Sequence, residues 1–185
     1  NPPSVPRFLC PRCRASLATS GPCPNDGAQV LHDRTDQILA QRYRFRRPIG
    51  RGGMVQDKRE GDGGSPIGQH HIVGMLYRPD RLPRPTPWAQ PIGPADLWSD
   101  DPTDAAYNHA VRAPHGCSHE ALRRPDPLYD LVLITDWNYP DAVPGKGSAI
   151  FVHTWRKPRH PTAGCIAFAQ SHLLWIAKRI RPGAR

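Results

Sequence analysis

Short apolar runs separated by long polar stretches rich in proline and glycine dominate this chain, a pattern that predicts strands and loops rather than a helical bundle. Tyr129 to Thr135 and Gly147 to His153 are the clearest runs. Both are too short for a core helix, and each predicts a buried strand. Another short strand is predicted near His70 to Tyr77, following the polar, glycine-rich run Lys58 to Gly68. Helical spacing appears over Ser171 to Ile180 and ends at Pro182-Gly183, so an amphipathic helix is expected near the C-terminus. Residues 78 to 127 hold much of the proline, which denies ladder hydrogen bonds; ordered loops with short pieces of structure, rather than a sheet, are expected there. Nearer the N-terminus, Arg42-Tyr43-Arg44-Phe45 alternates before Gly50-Arg51-Gly52-Gly53, which reads as one strand and a turn.

Composition narrows this picture. A chain of 185 residues with 23 Pro and 16 Gly allows one ordinary domain plus a small appendage and excludes coiled coils and solenoids. No apolar run approaches the roughly 18 residues of a membrane span, so no membrane span is expected. The chain opens on Asn1 without a charged start, apolar stretch and cleavage site, so it is expected to be a fragment or a processed form. Its 25 Lys and Arg against 16 Asp and Glu leave a net charge of +9, divided as +5 on residues 1 to 57 and +4 on the rest. Such a diffuse field suits any polyanion, an anionic cell-wall polymer included. Without a dense basic patch or interleaved aromatics, no nucleic-acid partner is expected.

Two groups of residues carry candidate chemistry. Cys10-Pro11-Arg12-Cys13 followed by Cys23-Pro24-Asn25-Asp26 reads as a small knuckle over residues 1 to 36, in which three thiolates face one structural zinc. Asp26 occupies the place of a fourth Cys and His32 is a further candidate, so Cys3Asp, Cys3His and a degenerate, metal-free loop all stay open. In the second group, His153 ends one apolar segment and Cys165 begins another, twelve residues apart. If the segments are neighbours, the imidazole takes the thiol proton and the thiolate is the nucleophile. Gly164 permits close substrate approach, and the backbone N–H groups of Gly164 and Cys165 are candidates for an oxyanion site. A buried structural thiol beside a strand-end histidine is the alternative for an arbitrary pair. Cys117 has no CxxC partner and reads as a free or buried thiol, since a disulfide to Cys165 would remove the nucleophile.

Two resemblances follow from longer blocks. Cys10 to Met54, with RYRFRRPIGRGGM at its end, resembles the start of bacterial serine/threonine kinases. The strand lysine, HRD-type loop and DFG element do not follow, so kinase activity is not expected. Residues 55 to 185 resemble the L,D-transpeptidase catalytic domain of the YkuD type through KREGDGGSPIG, LYRPDR, DDPTDAAYN, SHEAL, LYDLVL and PGKGSAIFVH through PTAGCIA. The resemblance implies a mainly β sandwich with a helix after the nucleophile, Cys165 as nucleophile, His153 as base and Gly164 at the oxyanion site, with no catalytic cofactor. It implies peptidoglycan stem peptides as partners, and periplasm or cell wall as the location. Thr162, His160, Arg156 and His119 are candidate substrate-side residues. Better-known members have a longer gap between His and Cys, a second His before the Gly, and Arg or Asn where this chain has Ala167, so it resembles a distinct subgroup. The expected organisation is a knuckle over 1–36, a truncated kinase-like strand and loop over 37–54, and the catalytic domain over 55–185. The rival expectation is a non-catalytic, basic, zinc-stabilised binding module or an inactive fusion fragment.

Overall fold

The computed structural model describes residues 22–25, 52–158 and 160–184, together with the backbone of five two-residue strands nearer the N-terminus. The chain divides into two compact units, Asn1–Pro48 and Ile49–Arg185. In the first, β1 (Phe8–Leu9) pairs antiparallel with both β2 (Ser16–Leu17) and β3 (Leu31–His32), and β4 (Ile38–Leu39) pairs with β5 (Tyr43–Arg44). Cys10, Cys13 and Asp26 lie outside the described residues, as does the side chain of His32; Cys23 is described and buried.

The second unit is mainly β. Its small opening pair joins β6 (Met54–Val55) to β7 (Ser65–Pro66) in parallel. A five-stranded sheet follows, made of β8 (Ile72–Tyr77), β9 (Gln90–Pro91), β13 (Leu131–Thr135), β14 (Phe151–Thr154) and β15 (Ile166–Phe168), in the order β15-β14-β13-β8-β9. Three further strands, β10 (Asp96–Ser99), β11 (Ala110–Arg112) and β12 (His119–Ala121), form an antiparallel sheet with β10 in the middle. The helix α1 (Gln170–Ala177) comes directly after β15.

Strand β13 is buried at all five positions because both of its faces are covered. Val132 and Ile134 point into a cluster with Trp98 of β10, Phe151 of β14, Ile92, Leu122 and Tyr129, which fills the space between the two sheets. Trp98 meets Phe151 edge-to-face at 5.0 Å, the arrangement that aromatic quadrupoles favour. The alternate residues Leu131 and Leu133 are fully buried on the other face, where α1 lies against β13 and β14 and buries Leu173, Ile176 and Ala177.

Three expectations are corrected. Residues 78 to 127 do form a sheet, because β10, β11 and β12 fit between the prolines, none of which falls inside them. The strand expected from Gly147 begins only at Phe151, since Gly147 (φ 91°) and Ala149 (φ 51°) lie in the left-handed region, which a strand cannot contain. The run starting at Tyr129 opens as a 3-10 turn over Pro127–Tyr129, with the Asp126 side chain accepting from the N–H of Leu128, before β13 begins.

Candidate active site

The parallel pairing of β14 with β15 builds the site. Val152 lies opposite Ile166 and His153 opposite Ala167, so Cys165, one residue before β15, comes level with Phe151. Residues paired in this way point to the same sheet face, and so do residues two apart on one strand. Phe151, His153 and Cys165 therefore share the face turned toward Tyr129. The Tyr129 ring stands edge-on to His153 at 5.3 Å and to Phe151 at 6.1 Å, and Cys165 packs against the same cluster.

His153 is buried, and its Nδ1 lies 2.7 Å from the Thr154 carbonyl. A carbonyl only accepts, so Nδ1 carries the proton and Nε2 keeps a lone pair. Burial lowers the proton affinity of this imidazole below the ordinary histidine value, and the Arg124 guanidinium lowers it further. His153 is thus a neutral base at neutral pH.

Cys165 is half-buried, and its thiol donates to the Ala149 carbonyl at 3.1 Å. Desolvation pushes the thiol up to about 12; Glu120 adds to that rise, while the Phe151 backbone N–H and the Lys58 ammonium work against it. The resting pair is therefore thiol and neutral imidazole.

Two loops hold the thiol. Thr162 Oγ1 donates to the Cys165 carbonyl at 2.6 Å and closes the turn that carries the residue. Gly164 has φ 117°, and a Cβ there would lie 2.6 Å from the Gly64 carbonyl oxygen, so only glycine fits. Lys58 is buried, with Nζ on Asp62 Oδ1 at 2.5 Å and on the Arg59 carbonyl at 2.8 Å. Its stem fills the space left by Gly147, where a Cβ would meet Lys58 at 3.0 Å. The acceptor for the thiol is fixed from behind. Buried Asn108 accepts from the Ala149 N–H at 2.9 Å and from Trp98 Nε1 at 3.0 Å, and donates to the carbonyls of Trp137 and Asn138. Those bonds hold Ala149 in a conformation uncommon for alanine, with its carbonyl toward the sulfur.

The other candidates are more dispersed. His160 closes a turn through its backbone N–H on Lys157. Arg156 is exposed and contributes to holding the Asp126 carboxyl below its usual range, after the larger effect of Arg124. His119 is exposed, its Nδ1 2.7 Å from the Cys117 carbonyl. Tyr129, Arg124, Lys58 and Asn108 were not singled out by sequence. Tyr129 donates to Glu120, and burial pushes its hydroxyl pKa up, so it stays a phenol beside His153. Tyr129, Lys58 and Asn108 do fall within the blocks LYDLVL, KREGDG and DDPTDAAYN, a signal by which the sequence could have pointed to them.

The family model for the L,D-transpeptidase catalytic domain (YkuD) matches residues 28–185. The chain belongs to this family. No curated protein and no solved structure matches it. L,D-transpeptidase domains act on peptidoglycan, and the mainly β fold with a helix following the site agrees with the family's architecture. Among the described residues no helix is long and apolar enough to cross a membrane.

Proposed function

We propose that this L,D-transpeptidase domain uses Cys165 as nucleophile and His153 as base to exchange the peptide bond before the terminal D-alanine of a peptidoglycan stem tetrapeptide, in the periplasm or cell wall. His153 Nε2 takes the thiol proton as sulfur attacks the carbonyl carbon of the third residue. The N–H groups of Gly164 and Cys165 receive the oxyanion, and the D-alanine amine leaves with the proton returned from His153. The thioester then passes its acyl group to the amine of a second stem, forming a cross-link, or to water, trimming the peptide; either way the proton of the acceptor goes to His153 and back to sulfur.

The observation that supports this reading is the β14–β15 register, which puts His153 and Cys165 on one face around Tyr129. The tautomer of His153, with its lone pair on Nε2, supports it further. Thr162 is then a support of the nucleophile's turn as well as a substrate-side candidate, and Arg156 and His160 flank the same loop as candidates for a stem carboxylate. A zinc held by Cys10, Cys13 and Cys23 with Asp26 or His32 would be structural in this proposal and have no part in the chemistry.

Intact-mass spectrometry after incubation with a carbapenem or a stem tetrapeptide tests it. One covalent adduct is expected on the wild-type chain and none on Cys165→Ala. Absence of an adduct on the wild type, or an undiminished one on the variant, refutes the assignment.

A further inference from the structure

Away from the Cys165 site, the loops beside the three-stranded sheet gather a second group of reactive side chains. Asp104 comes from the loop after β10, and His115 and Cys117 from the connection between β11 and β12. One donor atom from each lies within 4.8 Å of the other two, and all three residues are half-buried. His115 Nε2 is 2.8 Å from Asp104 Oδ2. Asp104 is itself fixed, with Ser99 Oγ donating to Oδ2 at 2.5 Å and the Ala106 N–H to Oδ1 at 2.9 Å.

We propose that Asp104, His115 and Cys117 form a binding site for a zinc-class divalent cation. The donor set decides the class: thiolate and imidazole suit zinc, whereas magnesium and calcium take oxygen ligands. Carboxylate, thiolate and neutral imidazole together neutralise a dication, and the Ser99 and Ala106 bonds orient the carboxylate as outer-shell partners orient metal ligands. A tetrahedral ion needs donors somewhat closer than these, so binding must draw the His115 and Cys117 side chains toward the Asp104 carboxylate. His119, whose ring centroid is 5.7 Å from that of His115, can supply the fourth donor, as can water. Binding releases the thiol proton of Cys117, and the neutral imidazole of His115 keeps its one ring proton on the nitrogen turned away from the cation. Asp101, which accepts from the Ser118 N–H, joins Asp104 in making the neighbourhood anionic and so attractive to a dication.

Zinc titration of the full chain against a chromophoric chelator, with cobalt(II) as spectroscopic probe, tests the site. Cys117→Ser and His115→Gln are each expected to bind one equivalent less than wild type, or to bind it at least tenfold more weakly. Cys117→Ser should also lose part of the near-ultraviolet thiolate-to-cobalt absorption. A chain carrying Cys10→Ser and Cys13→Ser should retain that equivalent. Unchanged stoichiometry and affinity in both Cys117→Ser and His115→Gln overturn the proposal. Hydrogen exchange on the unmutated chain provides a check that needs no variant to fold: added zinc should protect residues 100 to 120, and protection confined to residues 10 to 26 overturns it.

Discussion

Cys165 and Cys117 are both half-buried thiols held above the ordinary cysteine range, yet their surroundings differ in kind. At Cys165 the main cause is loss of water inside an aromatic cluster, its hydrogen-bond partners are backbone groups, the Ala149 carbonyl and the Phe151 N–H, and the smaller effects of the Glu120 carboxylate and the Lys58 ammonium oppose each other. At Cys117 burial is joined by the carboxylates of Asp101 and Asp104, with the His115 imidazole completing the group. An apolar wall with one base nearby leaves a thiol that ionises only by handing its proton over, which suits a nucleophile. An anionic cluster leaves a thiol that ionises when a cation arrives. Proton affinity alone does not separate the two sites; the identity of the neighbours does.

The sharpest way to break this comparison is to remove the base. His153→Ala should slow acylation of Cys165 by about 10²- to 10⁴-fold, the usual range for a positioned general base. Cys117→Ser should leave the acylation rate within about twofold of wild type, because nothing in the proposed chemistry uses that thiol. Stopped-flow measurement of carbapenem consumption reads both. Equal losses in the two variants would dissolve the distinction.

Next in size is Gly164→Ala. The added Cβ meets backbone, the Gly64 carbonyl oxygen at 2.6 Å, at a φ of 117° that alanine resists. The turn must shift to accommodate it, and a displacement of about 1 Å at a reacting atom costs about 10²-fold. Acylation should fall by that order. Zinc affinity at Asp104, His115 and Cys117 should stay unchanged, and a parallel loss there would show that the substitution had unfolded the domain instead.

How far the sequence revealed these sites follows from the range of the interactions. Leu131 to Thr135 and the C-terminal helix were readable because their patterns are contiguous; the twelve-residue gap left the Cys165–His153 pair open, and the resemblance over several separated blocks is what singled it out. The segment Gly147 to Ile150 misled, since its apolar residues resemble a strand while Ala149 is bent out of β geometry by Asn108, forty-one residues earlier. The sheet of β10, β11 and β12 was hidden because its edge strands are three residues long and mostly exposed, so no alternation builds up. Lys58, whose charge is felt at Cys165, is remote in sequence. The Asp104, His115 and Cys117 group escaped because attention to CxxC spacing passes over a donor set assembled from two loops.

Asn108 tests the bent segment directly. Asn108→Ala removes the acceptor used by the Ala149 N–H and by Trp98 Nε1, leaving buried donors unpaired at about 1–3 kcal/mol each. A lowered urea midpoint is expected. Because the Ala149 carbonyl then loses its fixed direction toward the Cys165 thiol, acylation should also slow, by roughly tenfold. Loss of stability with an unaltered rate would reduce Asn108 to a packing residue and detach Ala149 from the chemistry.

The smallest expected effect separates the two influences on His153. Burial is the larger, and Arg124 the smaller, of the causes that lower its proton affinity. A base with a lowered folded-state pKa binds fewer protons in the folded chain than in the unfolded one. Its contribution to stability is therefore fully present above about pH 6.5 and is lost as pH falls through the lower folded value. The acid limb of acylation follows the same group and should lie below pH 6.5. Arg124→Gln removes the guanidinium and leaves the burial, and Asp126, whose charge favours the imidazolium, loses its ion-pair partner. Both changes raise the His153 value, so the acid limb should move toward pH 6.5 by a few tenths of a unit. The plateau rate above it should hardly change. A shift of more than one unit would make charge the dominant cause, and no shift at all would leave burial alone in control of the base.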